Sequence, residues 1–351
     1  MSRKIRRVLA IDGAGIISVI DELLPSPAPG QVLIEVTASM VSPGSELGGV
    51  SRRRDSPTDA PPRPFGYSNA GVVCEIGGGV QDLEIGERVS CIGGGYAQHA
   101  THACVPQNMA VSIPDDVSDA DASSIHLVAT SLNATRRLAP EIAEYIGVVG
   151  LGLVGNFATQ WARVAGCHVA GLDQLPMRLE VAEACGADLC TDPTTEGGES
   201  EVRAFTRDRG LDGAVMAFGG DGTEAFKALV KMMKRAPDTH AMGRVVIVGG
   251  ASVEHSFGAG LGNLDIRSAA RTGPGYHDEA WEHGEDYPPV FVQWSTKRNM
   301  EECLNFINRG DILVDPLITH RVSLDDAPEA CEALIQTPND ALGVVFLPQE
   351  S

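Results

Sequence analysis

The chain is expected to be an α/β protein in two parts: a partly open β-barrel, and a doubly wound parallel sheet with helices on both faces. Three features of the sequence lead there. Residues 146–173 run as an apolar stretch, a Gly-x-Gly-x-x-Gly turn at Gly150, Gly152 and Gly155, a helical pattern through Trp161 and Val164, and a second apolar stretch ending on Asp173. After this segment, short apolar runs alternate with helical patterns, the signature of a parallel sheet. Before it, many short strand-like runs are separated by glycine turns, the signature of a small barrel.

Along the chain, residues 1–35 read as short strands broken at Asp12-Gly13 and over 25–30, and Gln31-Val-Leu-Ile-Glu-Val-Thr37 is the clearest strand. A loop follows, Ser39-Met-Val-Ser-Pro-Gly-Ser-Glu46. The stretch 51–64, dense in Arg, Asp and Pro, is expected to be mobile. Phe65-Gly-Tyr-Ser-Asn-Ala-Gly-Val-Val73 is a tight turn feeding a strand. A glycine turn at 77–79 leads to Ile85-Gly-Glu-Arg-Val-Ser-Cys91, and residues 96–105 alternate like a strand. From Ala120 the period becomes helical and delivers the chain to the glycine turn. Beyond Asp173, helical patterns at 179–184 and 224–234 separate strands at 188–190, 212–218 and 243–250. The section 281–289 is irregular. It is followed by a helix at 297–308, a strand at 315–322, a helix at 327–335 and a strand at 343–348. The expected divisions are 1–126 for the barrel, 127–288 for the parallel sheet and 289–351 for a return to the barrel.

Composition narrows the function. A chain of 351 residues is long enough for two domains with full cores. The formal charge of −20 argues against nucleic acid and anionic membrane surfaces as partners. The basic start is interrupted by Asp12 and Asp21, so no signal-peptide core is read there, and no stretch approaches a membrane span. The eight cysteines are scattered, without a Cys-x-x-Cys pair, which fits reduced thiols in a cytoplasmic protein.

The glycine turn carries the chemistry of dinucleotide binding. Gly150 permits the tight turn, Gly152 lets the backbone approach a pyrophosphate, and Gly155 lets the helix pack on the sheet. The helix start, with Leu151, Leu153 and Val154, offers N–H groups to the phosphates. Asp173 can accept hydrogen bonds from the adenosine ribose and would repel a 2′-phosphate, so NAD is expected over NADP. Gln174 and Arg178 follow it, and Arg178 could still meet a phosphate. Gly249, at the end of a later strand, completes the candidate cofactor set.

Together with Gly66-Tyr-Ser-Asn-Ala-Gly-Val-Val, Gly86-Glu-Arg-Val and Asp315-Pro-Leu-Ile-Thr-His, these motifs make the chain resemble the medium-chain dehydrogenase/reductase superfamily, the alcohol dehydrogenase-like enzymes, over nearly its whole length. The resemblance implies a GroES-like barrel, a Rossmann coenzyme domain, and a cleft between them for nicotinamide and substrate. It breaks at the metal. Where zinc members carry a Cys-Gly-Thr/Ser-Asp-type segment, this chain has Pro43-Gly44-Ser45-Glu46, and their Gly-His-Glu becomes Gly66-Tyr67-Ser68. The third ligand position falls near His126, and the four-cysteine lobe is missing. One imidazole cannot supply the three ligands of a catalytic zinc, so a zinc-less branch is expected, with no metal.

Without zinc, side chains must move the proton. Tyr67 stands at a ligand position, and Ser45 at the position that relays protons in zinc members. Glu46 could orient Tyr67 or a substrate hydroxyl, or be a structural carboxylate paired with an arginine. His126 has an unperturbed pKa suited to neutral pH; it could equally be a helix-start histidine bonded to backbone. His99 and His102 are expected on a strand, facing opposite sides, at the surface or behind the site. Tyr276 and His277 could touch substrate or form a plain surface loop. The expected function is a zinc-independent, NAD-dependent oxidoreductase interconverting a secondary alcohol and a ketone, on a polyol, sugar or cyclitol-like small molecule. A homo-oligomer, dimer or tetramer, is expected. Two rivals stand beside it: an NADPH-dependent quinone or enone reductase, and a nucleotide-binding protein without turnover.

Overall fold

The computed structural model describes residues 4–256 and 258–349 and divides into two units. The first unit holds the chain up to residue 129, residues 272–310, and the chain from 318 onward; the second holds 130–271 and 311–317. The return to the first unit therefore begins at 272, not at 289 as periodicity suggested. The reason is a set of bonds that no sequence period reveals. The Gln107 amide donates to the carbonyl of His283 at 2.7 Å, and the Asn108 amide to that of Trp281 at 2.6 Å. The Trp281 ring is buried among them. Residues 311–317 belong to the second unit because the Gln160 side chain bonds both the N–H and the carbonyl of Leu313, at 2.6 and 3.0 Å.

The second unit is a six-stranded sheet in the order Leu189–Thr191, His168–Leu172, Tyr145–Val149, Gly213–Ala217, Met242–Val248, Asn263–Ala269. Every pairing in it is parallel. The central strand Tyr145–Val149 is buried throughout, as a strand covered on both faces must be. Its side chains divide by parity. Ile146 and Val148 join an apolar cluster with Ala158 and Ala162 of the helix Leu153–Val164, while Tyr145 and Val149 join one with Phe226 and Leu229 of the helix Thr223–Met232. The edge strand Asn263–Ala269 escaped the sequence reading because it pairs on one side only and carries an exposed Asp265–Arg267 ion pair instead of an apolar run.

In the first unit a seven-stranded sheet centres on Gln31–Met40, which pairs antiparallel with Ser68–Ile76, His102–Pro106 and Gly343–Leu347. A smaller sheet of Ile17–Leu23, Ile5–Ile11 and Arg63–Pro64 adjoins it. Its core includes Leu9, Val41, Leu47, Leu334 and Phe346, so the final strand and helix complete the barrel begun by the first residues.

Two expectations about this unit are corrected. Residues 51–64 are not a free loop. Val50–Asp55 is a helix, and residues 58–60 are tied to the turn at 12–15 by Gly13 N–H to Ala60 O at 2.9 Å and Thr58 N–H to Gly13 O at 3.0 Å. Only His102–Pro106 of the stretch 96–105 is a strand. The residues before it form a turn that carries His99 inward, where it is fully buried.

Candidate active site

In the second unit the glycine turn follows the central strand. Gly150 has φ +87°, a conformation few residues but glycine adopt. A Cβ on Gly155 would lie 1.8 Å from the carbonyl oxygen of Gly150, so helix and turn meet there only because the side chain is absent. A Cβ on Gly152 would meet nothing within 4 Å, leaving open space beside the backbone. The helix Leu153–Val164 begins at Gly152 with no side-chain cap, so its positive end is offered outward. These are the properties that admit a dinucleotide pyrophosphate, and the cofactor fits here.

Asn156, which sequence reasoning passed over, holds the turn: buried in the first helical turn, its amide donates to the carbonyl of Leu151 at 2.6 Å. A polar residue on the buried face of an amphipathic helix was the available signal. Asp173 ends the second strand as expected, but its carboxylate is not free. One oxygen accepts the N–H of Leu151 at 2.7 Å, the other that of Leu175 at 2.9 Å, and the Arg178 guanidinium lies 3.5 Å away. Each carboxylate oxygen keeps acceptor capacity beyond one bond. Gln174 is exposed beside it, and Gly249 takes φ +99° just past the strand Met242–Val248.

In the first unit the structure gathers Tyr67, His126 and Tyr276. The Tyr67 and His126 rings pack at 4.1 Å between centroids, and His126 meets the edge of Tyr276 at 5.6 Å. Tyr67 reaches this place because Gly66 has φ +125° and its missing Cβ would sit 2.4 Å from the His99 backbone nitrogen. The Ser42 and Ser45 side chains lie near the Tyr67 phenol and partly offset the rise in its pKa. Burial first, and the Glu46 carboxylate second, push this phenol above its usual value, so it stays protonated at neutral pH. His126 differs from expectation: burial lowers its pKa to about 3, so its imidazole is neutral near pH 7. It is the second residue of the helix Ile125–Leu138, and its N–H meets the Ser68 hydroxyl at 3.3 Å. The Tyr276 hydroxyl accepts the N–H of Gly94 at 3.0 Å, and His277 packs edge-on against its ring, exposed, with φ +69°.

Among the described residues Glu46 pairs with a histidine, not an arginine. One of its oxygens accepts the Ser42 N–H at 2.6 Å, and the other lies 3.2 Å from Nε2 of His99. The two side chains are 4 % and 0 % exposed. The other nitrogen of His99 bonds the Ser39 hydroxyl, which itself donates to the Ser68 carbonyl at 3.2 Å. Ser39 therefore accepts from Nδ1–H, while Nε2 faces the carboxylate at ion-pair distance. His102 stays half-buried on its strand with Nδ1 on the Thr101 hydroxyl, 3.3 Å away.

This geometry has a counterpart among known proteins. The family described as "Alcohol dehydrogenase GroES-like domain" matches residues 28–115, and the one described as "Zinc-binding dehydrogenase" matches residues 154–282. The chain belongs to the medium-chain dehydrogenase/reductase superfamily. It is an alcohol dehydrogenase-like oxidoreductase. D-Guloside 3-dehydrogenase of Escherichia coli (strain K12) is 24 % identical over 286 residues, spanning 80 % of this chain and 77 % of that protein. Sorbitol dehydrogenase of Bacillus subtilis is 24 % identical over 321 residues, 82 % of each. An Escherichia coli oxidoreductase/dehydrogenase "of unknown specificity involved in membrane biogenesis" shares the fold, with TM-score 0.81 at 19 % identity over 99 % of this chain and 100 % of that one.

Pro43, Tyr67 and His126 are the residues that the sequence resemblance sets at the zinc-ligand positions. Among the described residues no three of His, Cys, Asp and Glu gather as a metal site, so the donor set does not fit a catalytic zinc.

Proposed function

We propose that this enzyme is a zinc-independent, NAD-linked dehydrogenase that interconverts a secondary alcohol and a ketone on a polar, hydroxylated small molecule such as a sugar, polyol or cyclitol. The observation that carries the reading is the Tyr67 phenol, packed on the His126 ring at 4.1 Å between centroids with the Ser42 and Ser45 side chains nearby, at the position the sequence resemblance assigns to a metal ligand. Likeness to guloside and sorbitol dehydrogenases supports the substrate class. Asp173 at the end of the second strand supports NAD over NADP, with its remaining acceptor capacity toward the ribose diol.

Bound nicotinamide supplies or accepts the hydride. The proton is the work of this chain's own residues. In ketone reduction the protonated phenol of Tyr67 gives its proton to the substrate oxygen as the hydride arrives and is reprotonated from water by way of the nearby Ser45 hydroxyl, which is exposed; alcohol oxidation reverses these transfers. Desolvation lowers the pKa of His126 to about 3, which disfavours a proton carried on its imidazole near pH 7. His126 supports the phenol ring by packing against it. Glu46, locked by His99, keeps the Ser42 backbone and hence the serine pair in place.

Tyr67→Phe tests the reading: kcat on a polyol panel followed at the NADH absorbance should fall by at least ~10²-fold. NADH binding by fluorescence titration should be unchanged, and dialysis against a chelator should leave the wild-type rate intact. Wild-type turnover in Tyr67→Phe would remove Tyr67 from the mechanism. About one tightly held zinc per chain, with activity lost on chelation, would remove the zinc-independent chemistry.

A further inference from the structure

Beside the barrel, and apart from Tyr67, lies a surface cavity of about 380 Å³ lined by Arg52, Arg53 and Arg63 together with Asp12, Gly13, Ser56 and Thr58. Its charge runs against the molecule's. The chain carries a formal −20, yet this wall gathers three guanidiniums against one carboxylate. Neighbouring arginines are spent in ion pairs, Arg7 with Asp325 and Arg54 with Glu332, and Arg6 with Glu22 at 2.8 Å. Among the described residues Arg52, Arg53 and Arg63 form no ion pair. Asp12 is engaged elsewhere, one oxygen accepting the N–H groups of Ala14 at 2.9 Å and Ile16 at 2.8 Å. The wall is also held in shape. Thr58 N–H donates to the Gly13 carbonyl and Gly13 N–H to that of Ala60, Ile11 pairs with Arg63 in the small sheet, and the Arg53 guanidinium donates to the Asp12 carbonyl at 3.4 Å.

We propose that this cavity is a binding site for a phosphomonoester dianion on a small molecule. Guanidiniums present planar pairs of N–H donors that match phosphate oxygens bidentately, and the Ser56 and Thr58 hydroxyls add neutral donors. A polyanion such as nucleic acid is disfavoured by the acidic remainder of the surface, whereas a single phosphate group senses mainly the local arginines within a Debye length.

The test is calorimetric titration of the full chain at low ionic strength with inorganic phosphate, sorbitol 6-phosphate and sorbitol. Both phosphate forms should bind saturably, with a Kd of about 1 mM or lower, and any heat from sorbitol should be the same in wild type and in Arg52→Gln/Arg63→Gln. Tighter binding of the ester assigns the site to an organic phosphate, and equal binding to free phosphate. Arg52→Gln/Arg63→Gln should weaken binding at least tenfold with an unchanged melting curve and unchanged NADH binding. Arg52→Lys/Arg63→Lys should recover part of the affinity, and Arg209→Gln, an exposed arginine of the other unit, should change nothing. No saturable binding in the wild type, or equal affinity in Arg52→Gln/Arg63→Gln, overturns the proposal. The NADH titration on the same variants reports separately on the dinucleotide site.

Discussion

At the scale of single residues the first unit is shaped by groups that burial has altered. His126 takes up a proton only near pH 3 in the folded chain, against an ordinary value near 6.5. The unfolded chain therefore binds the extra proton first as pH falls. The His126 contribution to stability is complete above about pH 6.5 and is lost progressively toward pH 3. Between pH 7 and pH 5 this removes at most about 2 kcal/mol, and less to the extent that water reaches the ring. Urea titrations at the two pH values should show the loss in wild type and a smaller one in His126→Gln; an equal loss in both would assign it to other groups. The Glu46–His99 pair makes a second residue-scale prediction. His99→Leu leaves a buried carboxylate without its partner and should destabilise by about 3–5 kcal/mol, while Glu46→Met/His99→Leu should lose less because neither charge remains. A double variant as unstable as His99→Leu would mean that shape rather than charge matters there. His99 was not legible from spacing: alternation over 96–105 suggests a strand, and only the turn that displaces it shows the side chain facing Glu46.

At the scale of elements, the strand–turn–helix at 145–164 carries most of its own specification. Leu153, Phe157 and Trp161 recur every fourth residue and are all buried, which fixes the helix face toward the sheet; burying a side chain such as Phe157 contributes about 1.5–3 kcal/mol. The contact between Gly155 and the Gly150 carbonyl is the least tolerant point of the motif. Gly155→Ala should lower NADH affinity more than tenfold and destabilise by about 1–3 kcal/mol or more, since backbone rather than a flexible side chain must yield. Fluorescence titration with NADH and thermal melting check the two parts, and native affinity in Gly155→Ala would show that the helix can shift without disturbing the phosphate-binding turn. The edge strand Asn263–Ala269 and the helix Gly198–Phe205 were not legible in the same way, because neither carries a long apolar run.

The whole molecule is governed by its charge. A formal −20 with a sequence pI near 4.8 means that surface carboxylates repel one another in the folded chain at neutral pH. Raising ionic strength from about 0.01 M to about 0.15 M shortens the Debye length from roughly 30 Å to roughly 8 Å, so Tm should rise by a few degrees. Calorimetric melts across that range decide it; a falling Tm would mean that exposed ion pairs such as Arg7–Asp325 outweigh the repulsion.

Order along the chain was enough to determine an alcohol dehydrogenase-like oxidoreductase with a parallel, glycine-turned sheet. Those properties rest on local period, on glycines whose backbone no other residue reproduces, and on an acid at a set distance beyond them. Tertiary structure alone decided what the candidate side chains became. It left His126 half-buried beside Tyr67, with desolvation lowering its pKa. It gave Glu46 a histidine partner, filled part of the Asp173 carboxylate with backbone N–H groups, and returned the chain to the barrel at 272. Each of these depends on which distant groups share a neighbourhood, and on how much water is left there. Neither is written in the spacing of residues along a strand or helix.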